Sequence, residues 1–454
     1  MIGKAQAKKL TSLVFKASRA DQVEVLLYGY NQALTRFANN YIHQNVNESN
    51  ISVGIRSIFG KKIGSASTNS LDPKRIQEAI AWSERIASFQ RDNPDFKTLP
   101  KIKPSIYRPT SGYVKETAGF SNDERARAVA EIIAVAQKHS LTAFGSVSNG
   151  TAEIVVANNL GTFGYDRTCD IFCNIVMTSA TSSGYVQAGS RYAGKMNFKN
   201  IALATARKAL AAADPIALEP GSYTTIFEPL AVQDIMSYLG YYGFNGKMFE
   251  EGRSFLTGKL GSKIFDSKLT ITDDPFNRRG FTAGFDFEGA PKRKLVLIDR
   301  GVAVNVTYDS LTAARAKKIN TGHAMPAPNP FGPVPTHMVI KGGTETMEEM
   351  IRKTSRGILV TRLHYTNVID PFKMIITGMT RDGTFLIENG AITKAVKNFR
   401  FTENIVEALN RVEAVGRTSE LVPFEPGYGA RFGRGMFVPA LKIKDFTFTS
   451  ATEF

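Results

Sequence analysis

A nucleophile, a general base or a metal site in this chain would have to be assembled from five histidines, two cysteines and a scatter of carboxylates. The histidines are His43, His139, His323, His337 and His364, and no two have the spacing of a helical zinc motif. Each reads first as a structural or surface residue; His139 ends a predicted helix, where an imidazole favours the dipole. Cys169 and Cys173 are too close in sequence for a disulfide framework. With no histidine near them they supply at most two metal ligands, and they read as buried thiols in a strand. No Gly-x-Ser-x-Gly elbow or activated-cysteine signature marks a nucleophile. The glycine-rich pieces 240–243 and 427–435 match neither a P-loop nor a dinucleotide fingerprint. A triad assembled over long range stays open.

The elements that must position these residues divide the chain in two. At 454 residues it exceeds what one hydrophobic core serves, and a boundary is expected near residue 215, after Ala213-Asp214-Pro215. Residues 1–215 read as a sheet with helices. Helical spacing covers Lys4 to Ala20, and extended segments are expected at 23–30, 34–46 and 51–68. Asp72-Pro73 starts a helix to about Gln90 with Trp82, Ile86 and Phe89 as its inner stripe. Ser121 and Glu124 form a capping box for a helix ending near His139. Strands at 141–148 and 152–158 should turn at Asn149-Gly150, and a last helix covers 201–212. Residues 216–454 begin with a helix from about Pro229 to Tyr242 and then read as turn-rich, mainly antiparallel, partly closed β-structure. Met325 to Pro335 reads as a fixed loop in which Phe331 and Val334 are buried. The fold class is therefore α+β.

Lys and Arg number 57 against 41 Asp and Glu, a net charge of +16. The basic residues come in short dispersed pairs, and the longest run is Lys292-Arg293-Lys294, which is a solvated pattern rather than a phosphate-tracking groove. Nucleic acid is thus not the expected partner. No apolar stretch approaches the length of a membrane span, and no secretory signal is visible, so a cytoplasmic location is expected.

Gly357-Ile-Leu-Val-Thr-Arg-Leu-His-Tyr365, Asp370-Pro371 and Thr377-Gly-Met-Thr-Arg-Asp-Gly-Thr-Phe-Leu-Ile-Glu-Asn-Gly390 closely resemble the C-terminal core of the TldD/PmbA family. So do Val396 to Phe401, Asn410 to Gly416 and Val438 to Ser450, and the N-terminal half matches in outline. The resemblance implies kinship with zinc metallopeptidases whose TldD-type members carry HExxxH and a C-terminal cysteine. In this chain the matching segment is taken as Phe227 to Val232. Phe227 and Val232 then stand at the histidine positions and Glu228 at the glutamate, which reads as a carboxylate capping a helix N-terminus. The stretch around 427–435 has no cysteine, so no metal and no catalytic residue is expected on this chain.

The resemblance therefore implies a TldE/PmbA-like subunit, inactive alone. Its expected partner is a TldD-type HExxxH subunit, which holds the zinc, or a second copy of itself. Its expected substrate is unfolded peptide. Arg362, Tyr365, Thr377, Thr380, Arg381 and Asp382 are the candidates for peptide contact or interface, although Arg381-Asp382-Gly383 also reads as a tight hairpin turn. The alternatives are a homodimeric peptide-binding protein and, from the family's label as a modulator of DNA gyrase, a nucleic-acid-associated protein.

Overall fold

The computed structural model describes residues 1–110, 112–427 and 429–452. Alternating apolar residues build one long sheet from β1 (Gln22–Ala38), β2 (Tyr41–Phe59), β3 (Lys62–Thr68), β4 (Thr142–Asn158), β5 (Phe163–Thr178) and β6 (Ser183–Ser190). All neighbours are antiparallel, in the order β3-β2-β1-β4-β5-β6. Asn39 and Asn40, both with positive φ, close the two-residue turn between β1 and β2, so the expected segment 34–46 is two strands rather than one.

Because side chains alternate across a strand, one face takes Val23, Val25, Ala143, Val147, Ile171 and Cys173. Helices cover that face: α1 (Gly3–Ala17) and α2 (Pro73–Phe89) at one end, α4 (Asn122–Lys138) and α5 (Phe198–Ala211) at the other, with the single turn α3 (Lys115–Ala118) between. Ser121 and Glu124 make the expected capping box. The opposite face of the sheet carries Tyr28, Ile154, Asp166 and Asp170 toward the C-terminal part.

Two expectations for this part fail. The inner stripe of α2 is Ile76, Ala79, Ile80, Ser83 and Ala87, whereas Trp82, Ile86 and Phe89 are exposed. The helix lies so close to β3 that a Cβ on Gly64 would stand 2.1 Å from the Ser83 carbonyl oxygen, and only small residues fit the contact. Asn149-Gly150 is no turn either. β4 runs through it, because Gly150 lets the Asn31 carbonyl approach and Asn149 is tied to Arg125 and Thr117.

Beyond residue 220 the strands are β7 (Gly221–Phe227), β8 (Ile271–Asp273), β9 (Leu295–Asp299), β10 (Val302–Ala303), β11 (Met338–Ile340), β12 (Arg356–Asp370) and β13 (Ile375–Glu388). They continue with β14 (Ala391–Ala395), β15 (Phe399–Asn404), β16 (Val412–Val415), β17 (Glu420–Pro423), β18 (Gly435–Val438) and β19 (Leu441–Ala451). Among the described residues β12, β7, β19, β15 and β13 pair in a ring that closes through β12–β13, a small, partly closed barrel. Phe227, Phe399, Phe401, Phe446 and Phe448 are buried in its core. A second sheet, β10-β9-β8-β11-β18-β17, flanks it. Helix α6 (Pro229–Tyr238) packs on β12. In the 325–335 loop Phe331 is exposed, resting on Tyr241, and Val334 is half-buried.

Candidate functional site

Phe227 is the last residue of β7, fully buried, its ring 4.8 Å from that of Phe446. Val232, also fully buried, lies in the first turns of α6. One residue ends a strand and the other sits in a helix, so side chains at 227 and 232 are parts of the core wall and would not converge on an ion. Glu228 occupies the helix N-cap position, but its side chain caps nothing. Lys208 Nζ of α5 donates to Glu228 Oε2, and Thr361 Oγ1 donates weakly to Oε1 at 3.4 Å. The capping role expected for Glu228 is therefore replaced by an ion pair to the N-terminal part, because the α5 ammonium is a stronger partner than a backbone N–H.

Ten residues on, the geometry suits HExxxH spacing better. Residues five apart on an α-helix point roughly 140° away from one another, whereas a turn with i→i+5 hydrogen bonds stacks them. Such a turn covers Leu239–Gly243, closed by Phe244 N donating to Leu239 O at 2.9 Å. Ser237 and Tyr242 stand five apart across it, Ser237 Oγ donating to Gln233 O and Tyr242 packing on Tyr241. The only sequence signal was the pair of glycines at 240 and 243, which carries no chemistry by itself.

The other candidates separate into three groups. Arg362 and Asp382 are brought together: Arg362 Nε donates to Asp382 Oδ2 at 2.6 Å. Ser183 Oγ of β6 donates to Asp382 Oδ1 at 2.5 Å, and the guanidinium lies 4.0 Å from the Tyr185 ring. The pair thus clamps the barrel to the N-terminal sheet. Thr377 and Thr380 are spent inside the barrel wall, Thr377 Oγ1 donating to Phe401 O and Thr380 Oγ1 accepting the Phe399 N–H. Tyr365 and Arg381 alone face solvent, Tyr365 at 72% exposure and φ 48°. The hairpin turn expected at Arg381-Asp382-Gly383 is a bulge within β13: Asp382 and Gly383 both face Thr361, between the pairs Val360–Thr384 and Arg362–Arg381. The real turn of this hairpin lies between Asp370 and Ile375.

Beyond the bulge β13 stays paired with β15 and Met374 and Ile376 are buried, while Tyr365, Ile369 and Phe372 on the same hairpin are all more than half exposed. Helix α6 holds the adjoining edge of β12, Tyr238 Oη donating to Thr366 O and the Asp234 carboxylate accepting the Leu363 N–H.

Comparison with known proteins places this architecture. Models of the three PmbA/TldA metallopeptidase domains match residues 23–87, 115–213 and 220–450, the last being the C-terminal domain. The chain belongs to the PmbA/TldD metallopeptidase family. A TldD-homologue metalloprotease of Haemophilus influenzae is 23% identical over 87% of this chain and 86% of its own. A metalloprotease of Methanocaldococcus jannaschii is 26% identical over 85% and 86%. TldE of Thermococcus kodakarensis has the same fold, with a TM-score of 0.86 at 22% identity over 98% of this chain and 99% of its own. So does a Thermotoga maritima protein that carries the name of a modulator of DNA gyrase, with a TM-score of 0.85 at 17% identity over 98% and 100%.

The family description implies a metal, and the donors here do not fit one. Neither 227–232 nor 237–242 offers an imidazole, a thiolate or more than one carboxylate. Among the described residues no three His, Cys, Asp or Glu side chains group as a metal site. Cys169 and Cys173 are buried in β5, free thiols whose pKa values burial pushes up. Among the described residues no helix is long and apolar enough to cross a membrane.

Proposed function

We propose that this chain is the non-catalytic, TldE/PmbA-like subunit of a TldD-type zinc metallopeptidase acting on unfolded peptides. The observation that carries the reading is the family's whole architecture retained around a π turn with no ligand on it. On this reading Ser237–Tyr242 stands where an HExxxH subunit holds its zinc, and the chain divides near residue 215. The exposed hairpin surface bearing Ile369 and Phe372 is the contact with the catalytic partner or with a second copy, and Tyr365 and Arg381 are the candidates left to meet peptide.

Co-expression with an HExxxH member of the family tests this. The expected results are no stoichiometric zinc on the chain alone by elemental analysis, a dimer by light scattering, and peptide hydrolysis only in the mixture. Glu228→Gln should leave that hydrolysis nearly unchanged, since Glu228 serves the Lys208 ion pair. Loss of turnover in an assembled Glu228→Gln complex would overturn the assignment. Superposition of an HExxxH relative that set its histidines on 227 and 232 would overturn the placement on the π turn.

A further inference from the structure

Between the face of the long sheet and the C-terminal part lies a cavity of ≈ 210 Å³ that none of the roles above uses. Phe285, Phe287 and Phe432 give it aromatic walls, and Phe287 meets Phe432 edge-on at 5.7 Å. Its volume is below that of a drug-sized pocket, about 300–1,000 Å³, yet above the ~150 Å³ of an apolar cavity that takes benzene. One ring with a few further atoms fits.

Of the polar groups that line this cavity, Asp166 and Asp286 have their donors, and Thr282 and Lys292 are left incomplete. Thr282, 7% exposed, has a buried hydroxyl with no hydrogen-bond partner among the described residues. Lys292, 8% exposed, has three donors and uses one among the described residues, on Thr336 Oγ1 at 3.2 Å. The carboxylates near Lys292 are already taken. Asp273 Oδ2 pairs with His323 Nε2 at 3.0 Å and its Oδ1 accepts the His337 N–H. Asp286 accepts the N–H groups of Glu288, Ala290 and Ala324. Leaving a buried hydroxyl and two ammonium hydrogens without acceptors is costly, and such exceptions among native groups point to a missing partner. A carboxylate is the acceptor that serves both and neutralises the buried cation.

We propose that this cavity binds an α-carboxylate carried next to an aromatic side chain, with the carboxylate on Lys292 Nζ and Thr282 Oγ1 and the ring among Phe285, Phe287 and Phe432. The C-terminal residue of a peptide and a free aromatic amino acid share that chemistry. The site stands whether or not the chain joins a peptidase.

Titration calorimetry of the full chain with N-acetyl-phenylalanine tests it, with N-acetyl-phenylalanine amide, free phenylalanine and a peptide ending in phenylalanine as further arms. The acid should bind with a Kd on the order of 1 mM or tighter, and the amide at least about tenfold more weakly, because it cannot neutralise the cation. Lys292→Met and Thr282→Val should each weaken the acid by about tenfold or more. Thr282→Val should do so without lowering Tm, because the hydroxyl it removes has no partner, and it decides the matter if Lys292→Met does not fold. The preferred arm, free amino acid or peptide, identifies the source. Equal binding of acid and amide, no binding of the acid at about 10 mM, ten times that Kd, or undiminished binding by folded Thr282→Val would each overturn the proposal.

Discussion

Asp234 shows what a single carboxylate does in this fold. It sits on α6 beneath β12, where burial pushes its pKa up to about 7 against the opposing pull of Arg362 and the Leu363 N–H. The unfolded value is about 3.9, so between the two the folded state binds the extra proton and stability falls as pH rises. His337 acts with the opposite sign: burial, with Lys292 beside it, lowers its pKa to about 4, and stability is lost as pH falls below about 6.5. Asp234→Asn keeps the acceptor for Leu363 and removes the charge. It should stabilise the chain by roughly 1–2 kcal/mol at pH 8, a value reduced for the solvent that reaches this side chain, and by little at pH 4. Thermal melts at both pH values measure this. An equal gain at the two would mean that the charge is not what the substitution relieves.

At the scale of elements, what the sequence made legible and what it hid divide by range. The capping box at Ser121, the Asp72-Pro73 helix start and the buried cysteine strand are local patterns, and all are present. The face of α2 was hidden because two sets of residues share its helical period, and the choice between them depends on how near β3 comes. Bulk favoured Trp82 and Phe89, but close approach at Gly64 selected Ala79, Ser83 and Ala87. Asn149-Gly150 and Asp382-Gly383 carry turn chemistry and are held inside strands by distant partners, Asn31, Arg125 and Thr117 for one, Ser183 and Arg362 for the other. Of the candidate site residues the clamp Arg362–Asp382 was legible only as a polar string, and the π turn only as two glycines. A direct test of the α2 assignment compares two variants. Gly64→Ala should cost about 1–3 kcal/mol or more, since its Cβ meets backbone at Ser83 and Ala87 and not a yielding side chain. Trp82→Ala, at an exposed position, should cost within about 0.5 kcal/mol. Urea midpoints in the reverse order would put the buried face of α2 on the wrong side.

Across the whole molecule the two parts are joined by apolar contacts and by polar clamps, one of them from α5 and the others on the face of the long sheet away from its helices. Lys208 meets Glu228, Ser183 meets Asp382, and Gln187 Nε2 donates to Pro423 O at 2.7 Å. The deepest is Arg431, 1% exposed, whose Nε and Nη2 donate to the two oxygens of Asp170 at 3.0 and 2.7 Å. Tyr28 Oη donates to the Arg431 carbonyl and stacks on Phe432 at 4.4 Å. One guanidinium nitrogen, Nη1, has no partner among the described residues, so desolvation there is incompletely offset and the clamp depends on both carboxylate oxygens. Asp170→Asn would leave a buried cation facing a neutral amide, a loss of about 3–5 kcal/mol. That cost exceeds what a local segment can absorb, so the loop should release Arg431 before either sheet unfolds. Trypsin reports this directly, because the bond after Arg431 is protected while the side chain is buried and becomes cleavable once the loop opens. Asp170→Asn should be cut there faster than the parent while its far-ultraviolet circular dichroism stays unchanged. Removing both charges in Asp170→Leu/Arg431→Met should restore much of the protection, since no unpaired ion is left inside. If Asp170→Asn resisted trypsin as the parent does, the seam would be held by its apolar contacts, and the polar clamps would be passengers on it.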